Sequence, residues 1–400
     1  MTMRLISCLC IATAFTLLHQ SLVDGQPGSK FVPVSEITDK SLNTVVDHAI
    51  VTSFDLSPDG KQLAILAIAG PKLGPLWLII VDTSTTRVAA SKELGPSTWP
   101  TSDFLHQVRY SSDQKYLVVQ DLQHIRVLDG GSLETLRTLP TPANVDRQVP
   151  LFIVGAGKSD IFVCAFGSEQ QPKYGFHPTP VQVQVVDVLS GKILGAWASE
   201  DVPQAVSLNG KLIAVSSWQT PNLRRVAPLA VFDTNGRKVA DLDDGFSFSK
   251  SADRSKPLGR VLGAFVSDQE VLLSPDEHID EAGHHSSGGM KLVNIATQQS
   301  RHSVTLGHFA PTGRPAISND GQTILVSSFY MPPRFLAQPH GALHGGEGKL
   351  LILKRDPKLG VDSSVPIDSL TQEPRVSSDG SVIAIRHYNR DVTILMRSSQ

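Results

Sequence analysis

Leu56-Ser57-Pro58-Asp59-Gly60-Lys61 reads as a tight hairpin turn, and its return along the 400 residues decides the fold. Pro58 presets φ, Asp59 can bond its own backbone, and Gly60 accepts a positive φ. Worn copies follow at Asp113 in Ser112-Asp113-Gln114-Lys115, at Asp160 in Gly157-Lys158-Ser159-Asp160, and at Asn209 in Leu208-Asn209-Gly210-Lys211. Asp268, Asp320 and Asp379 complete seven, with successive copies between 47 and 59 residues apart.

After each turn comes a continuous apolar run, at residues 63–67, 116–119, 161–166, 212–215, 271–273, 323–326 and 382–385. A strand with one wet face alternates with period two, so unbroken runs predict strands covered on both faces. A second landmark lies further on, where a strand ends in a polar residue before another turn: Asp82, Asp129, Asp187, Asp233 and Asn294, with a looser copy at residues 350–353. Two turns separate three strands, and the strand after the second turn, as at residues 192–197, makes a fourth. The pattern predicts an all-β chain folded as a seven-bladed β-propeller of four-stranded antiparallel blades. A two-sheet sandwich is the alternative, and it has no need of seven copies of one hairpin.

The C-terminal unit supplies only three strands, near residues 373–377, 382–385 and 392–396. The missing outer strand is expected from residues 31–37, so that the N-terminal strand completes the last blade and closes the ring. Pro33 is tolerable there because an outermost strand uses one side of its ladder.

Residues 1–25 have the form of a secretory signal, with Arg4 ahead of a mostly apolar stretch at 5–18 and Val23-Asp24-Gly25 before a plausible cut. Residues 26–400 are then expected to be one propeller domain, exported to the periplasm or the extracellular space. Cys8 and Cys10 would leave with the signal, and the remaining Cys164 lies in an apolar strand as an inert thiol. Lys and Arg number 36 against 38 Asp and Glu, for a net charge of -2, and no basic stripe appears. Nucleic acid and charged membranes are therefore poor partners, the run at 5–18 is too short and too polar for a membrane span, no second long apolar segment occurs, and a monomer is expected.

Candidate binding residues fall in the connections between second and third strands, on the face opposite the Ser-Pro-Asp-Gly turns. Blade 3 inserts Gly167 to Pro180 with Tyr174, blade 4 inserts Ser217 to Pro228 with Trp218, Arg224 and Arg225, and blade 6 inserts Ser327 to Gly348 with Tyr330 and Arg334. The guanidinium groups suit an anionic ligand at the channel mouth, and Trp218 and Tyr330, each just after a buried strand, could line it. Blade 5 carries Asp276-Glu277-His278-Ile279-Asp280-Glu281-Ala282-Gly283-His284-His285, and blade 6 carries His340 and His344. His278, Asp280, Glu281, His284, His285, His340 and His344 are donors that could converge on a divalent cation such as zinc or copper. Their spacing fits no metal template, and two solvated polar loops are the alternative. No Gly-x-Ser-x-Gly elbow and no Gly-rich phosphate loop occurs.

The copies at residues 56–64 and at Val185-Val186-Asp187-Val188-Leu189-Ser190-Gly191-Lys192 resemble the bacterial WD40-like and YVTN-type propeller repeats. That resemblance implies the propeller fold over nearly all of the mature chain, in a group that includes surface and periplasmic binding proteins, lactonase-like enzymes and quinoprotein subunits. Only Gly307-His308 matches the Gly-His of WD40 units, and no Trp-Asp dipeptide occurs. The expected function is a binding platform for a protein, peptide or glycan on the long-loop face. The alternative is an enzyme, lactonase-like or metal-dependent, with its site at the channel mouth.

Overall fold

The computed structural model describes residues 30–70, 74–96, 106–121, 124–139, 142, 148–155, 159–168, 181–199, 202–216, 229–242, 261–275, 289–304, 306, 309–311, 314–330, 348–356, 358–367, 372–387 and 391–398. Seven antiparallel sheets form the blades. Blade 1 runs Ile50–Leu56, Gln62–Ile68, Pro75–Asp82 and Val88–Pro96, and blade 3 runs Gln148–Gly155, Ile161–Ser168, Val181–Asp187 and Lys192–Ser199, each in sequence order from the inner strand outward. Blades 2, 4 and 5 repeat this order from Gln107–Tyr110, Val202–Val206 and Val261–Phe265. Successive first strands contact one another around the ring, from blade 1 through blade 7 and back to blade 1.

The ring closes as the sequence predicts. Phe31–Ile37 pairs antiparallel with Val392–Arg397, with Phe31 opposite Arg397 and Ile37 opposite Val392, outside the strands Gln372–Val376 and Val382–Arg386. A bulge lies between Pro33, opposite Leu395, and Ser35, opposite Ile394. The short helix Asp39–Leu42, absent from the sequence reading, leads from the closing strand to blade 1. Thr38 caps it by accepting the Ser41 N–H, while the Ser41 hydroxyl accepts the Thr38 N–H.

The core is seven interblade layers, one between each pair of neighbours. Along Gln62–Ile68, Leu63, Ile65 and Ala67 enter the layer shared with blade 7, while Ala64, Leu66 and Ile68 enter the layer shared with blade 2. Period two therefore persists in space while hydropathy shows none, because both faces meet an apolar neighbour. The outer strand Lys192–Ser199 is exposed or half-buried throughout, and its Trp197 reaches the layer shared with blade 4, stacked on Phe232. Cys164 is buried in the layer between blades 2 and 3, and burial pushes its thiol up to about 12.

Two details differ from the sequence reading. The first strand of blade 6 is split into Phe309–Pro311 and Ala316–Ile317. The second strand of blade 6 continues past the apolar run to Tyr330, so Tyr330 ends the strand and pairs with Phe309 instead of following it into the connection. Hydropathy fades at Ser327, but the ladder to Gly348–Lys354 does not.

Candidate functional site

The first-to-second-strand turns share a serine lock. Ser57, Ser111, Ser207, Ser318 and Ser377 are each at most 1% exposed. In every case the hydroxyl donates to the Asp or Asn two residues on and accepts the N–H of the residue that opens the second strand. The serine satisfies a backbone donor that the turn would otherwise orphan. Gly60 and Gly321 hold positive φ, and they also sit against the preceding blade, where a Cβ would lie 2.7 Å from Val382 Cγ2 and 2.2 Å from the Val266 carbonyl oxygen.

The turns also bond to one another around the channel. Ser378 N–H donates to the Pro58 carbonyl, Asn319 N–H to the Ser378 carbonyl, and Asn209 N–H to the Asp268 carboxylate. The second landmark is a local turn as well: Asp82 accepts the Ser84 and Thr85 N–H groups, and Asp129 those of Gly131 and Ser132.

Inside this ring of turns lies a cavity of about 250 Å³, lined by first-strand residues of all seven blades. The residue two places before the turn serine lines it in five blades: Asp55, Arg109, Ala205, Ala316 and Arg375. Arg314, in the gap of the split strand of blade 6, joins them and donates across the channel to the Pro203 carbonyl of blade 4 at 3.5 Å. Asp55 ties three blades together. It accepts the Tyr110 N–H of blade 2 at 2.8 Å and pairs with Arg375 Nε of blade 7 at 3.0 Å. Burial pushes its carboxyl above the ordinary carboxylate range, against the pull of Arg109, Arg375 and the Tyr110 N–H.

Sequence reasoning missed these residues because isolated arginines in short apolar strands carry no motif. The signal available for Asp55, Arg109 and Arg375 was positional, a single column two places ahead of the turn serine, and Arg314 stands outside it.

The residues singled out from sequence lie elsewhere. Tyr174, Trp218, Arg224, Arg225 and Arg334 fall outside the described residues, as do His278, Asp280, Glu281, His284, His285, His340 and His344. Tyr330 is placed by its backbone at the end of a blade 6 strand, at the start of the 331–347 connection. Among the described residues no group of three or more His, Cys, Asp or Glu is placed to hold a metal ion, and no helix is long and apolar enough to cross a membrane.

The topology does place the roots of the long connections. Second strands end and third strands begin at one end of the ring, opposite the serine turns. The connections there are residues 169–180, 217–228, 276–289 and 331–347 in the consecutive blades 3 to 6, against 69–74, 121–124 and 387–391 in blades 1, 2 and 7.

No family model and no curated protein sequence matches the chain. Among solved structures the chain is similar to the C-terminal WD40 domain of Sif2, with a TM-score of 0.49 and 12% identity over 88% of this chain and 82% of that one.

Proposed function

We propose that the protein is an exported binding platform that engages a protein, peptide or glycan through the connections of blades 3 to 6. The observation that carries this reading is their grouping: the four long connections root in four consecutive blades, at one end of the ring, on strands packed in interblade cores. A closed ring with seven apolar layers is a rigid base, and irregular loops on a rigid base are where recognition concentrates. Export rests on the signal-like residues 1–25.

The experiment is site-specific photo-crosslinking. A benzophenone amino acid at Trp218 or Arg334 is expected to trap a partner from extracellular and envelope fractions, while the same probe at Lys61 or Lys211, in the serine turns, traps none. Equal trapping from both ends of the ring would refute the reading.

A further inference from the structure

We propose that the outer edge of blade 3 is a second interaction surface, whose occupant is the same edge of a second copy of this chain, paired antiparallel across a two-fold axis. The outermost strand of a blade turns one row of backbone N–H and C=O groups away from its sheet, a template for another strand. Six of the seven outer strands are guarded against this. Blade 1 carries Lys92 and Glu93 there, blade 6 Asp362 and Pro366, blade 7 Pro33 and Glu36, and the outer strands of blades 2, 4 and 5 are only four or five residues long. Lys192–Ser199 of blade 3 is eight residues long, contains no proline and has its one charge at the first position. Among the described residues no strand pairs with its outer side.

A second observation points the same way. Among the described residues, five of the eight exposed large hydrophobic side chains stand on blade 3 and its two neighbours: Leu189, Ile193 and Leu194 on blade 3, Leu136 on blade 2 and Val239 on blade 4. The outer parts of these three blades touch. A Cβ on Gly191 would lie 2.6 Å from Arg137 Nη1 of blade 2, and one on Gly195 would lie 1.8 Å from the Thr234 carbonyl oxygen of blade 4. Three neighbouring edges therefore form one apolar surface, and apolar surface left contiguous in water marks a contact for another protein.

The edge is also self-complementary. A bulge at Leu194 separates the turn from a regular stretch, Gly195 to Ser199. A two-fold axis at Trp197, the middle of that stretch, sets Ala196 of one copy opposite Ala198 of the other, so that exposed small side chains meet small ones. The two Lys192 side chains then lie at opposite ends of the paired strands, roughly 30 Å apart and well beyond the Debye length of about 8 Å. Eight residues span about 27 Å and three packed sheets about 20 Å, so each copy covers about 500 Å² and the pair about 1,000 Å², the size at which a specific interface begins. The sequence alone leads to a monomer, because it does not distinguish the bare side of an outer strand from its paired side. This edge lies on the outside of the ring, away from the long connections, so self-association and partner binding succeed or fail separately.

Sedimentation velocity on the full chain over a concentration series tests the surface, with a monomer–dimer equilibrium as the expected result. The double variant Ala196→Lys/Ala198→Lys turns lysines against lysines across the axis and should weaken dimerisation at least about tenfold. Ala196→Lys/Ala198→Asp turns opposite charges against each other and should recover the dimer. Both alanines are exposed, so each variant should melt with the parent, and Ala89→Lys, at an exposed site on the outer strand of blade 1, is the control that leaves dimerisation unchanged. A monomer at every concentration would overturn the proposal, as would a dimer that the two lysines leave intact. A monomer in which a benzophenone amino acid at Ala196 crosslinks a different protein would assign the edge to a foreign strand and overturn the second copy.

Discussion

Replacing Ser377 by Ala removes one oxygen and tests whether the serine lock holds the blades. The hydroxyl is fully buried, donates to Asp379 Oδ1 at 2.7 Å and accepts the buried Val382 N–H at 2.9 Å. Alanine leaves the Val382 N–H with no acceptor, which costs about 1–3 kcal/mol. Asp379 loses one donor but keeps the Ser381 N–H and hydroxyl and its access to water, adding about 1 kcal/mol. The sum is about 2–4 kcal/mol. A ring of about 370 residues has a melting entropy of about 0.8 kcal/mol/K, so the midpoint should fall by about 3–5 °C in calorimetry. Ser132→Ala, which removes a hydroxyl bonded to Asp129 in an exposed turn, is the control and should stay within about 0.5 kcal/mol of the parent. A Ser377→Ala melt equal to that of the control would show that the lock is incidental.

Four further outcomes are expected. Phe31, 1% exposed and packed in the layer between blades 6 and 7 beneath Arg397, should cost about 3–5 kcal/mol as Phe31→Ala in urea unfolding, and deletion of 31–37 should open the ring; a truncated form that melts like the parent would refute closure. Glu270, 4% exposed at its side chain, is held by Arg301 and by Arg355 of blade 6, whose own side chains are 60% and 23% exposed. Removing an arginine strands a buried carboxylate, whereas removing the carboxylate frees arginines that can turn to water, so Arg355→Met should destabilise more than Glu270→Gln. Asp59, Asp113 and Asp379 are partly buried, which opposes ionisation, yet their turn hydrogen bonds win and hold them below the ordinary 3.8. Their stabilisation is therefore complete above about pH 4 and is lost as pH falls through the depressed values, so the melting midpoint should drop on acidification, less steeply in Ser377→Ala; a flat acid limb would contradict this. Cys164 in protein lacking residues 1–25 should resist alkylation at pH 8 until the chain is unfolded.

The blades were legible because their turns are local. Ser57-Pro58-Asp59-Gly60 and the apolar run after it specify a hairpin within a dozen residues, and seven copies count the blades. The closing strand was legible as a deficit, since a chain that ends one strand short must borrow one. What the reading weighted in the turn was Pro58 and Gly60, whereas the structure makes Ser57 the constant: its hydroxyl is repeated in blades 2, 4, 6 and 7, where no proline stands in the turn. The channel residues were illegible for a different reason. Asp55, Arg109, Arg314 and Arg375 are up to 320 residues apart in sequence, and only closure of the ring makes them neighbours. The loop residues were legible as unusual composition alone, which names chemistry without placing it.

The most direct test of the platform is to exchange the 276–289 and 331–347 connections for copies of the short 387–391 connection of blade 7, then measure partner retention on the immobilised ring beside its melting curve. The account predicts a ring that melts with the parent and no longer retains the partner trapped through Trp218 or Arg334. A shortened ring that melts normally and holds that partner as tightly as before would contradict it.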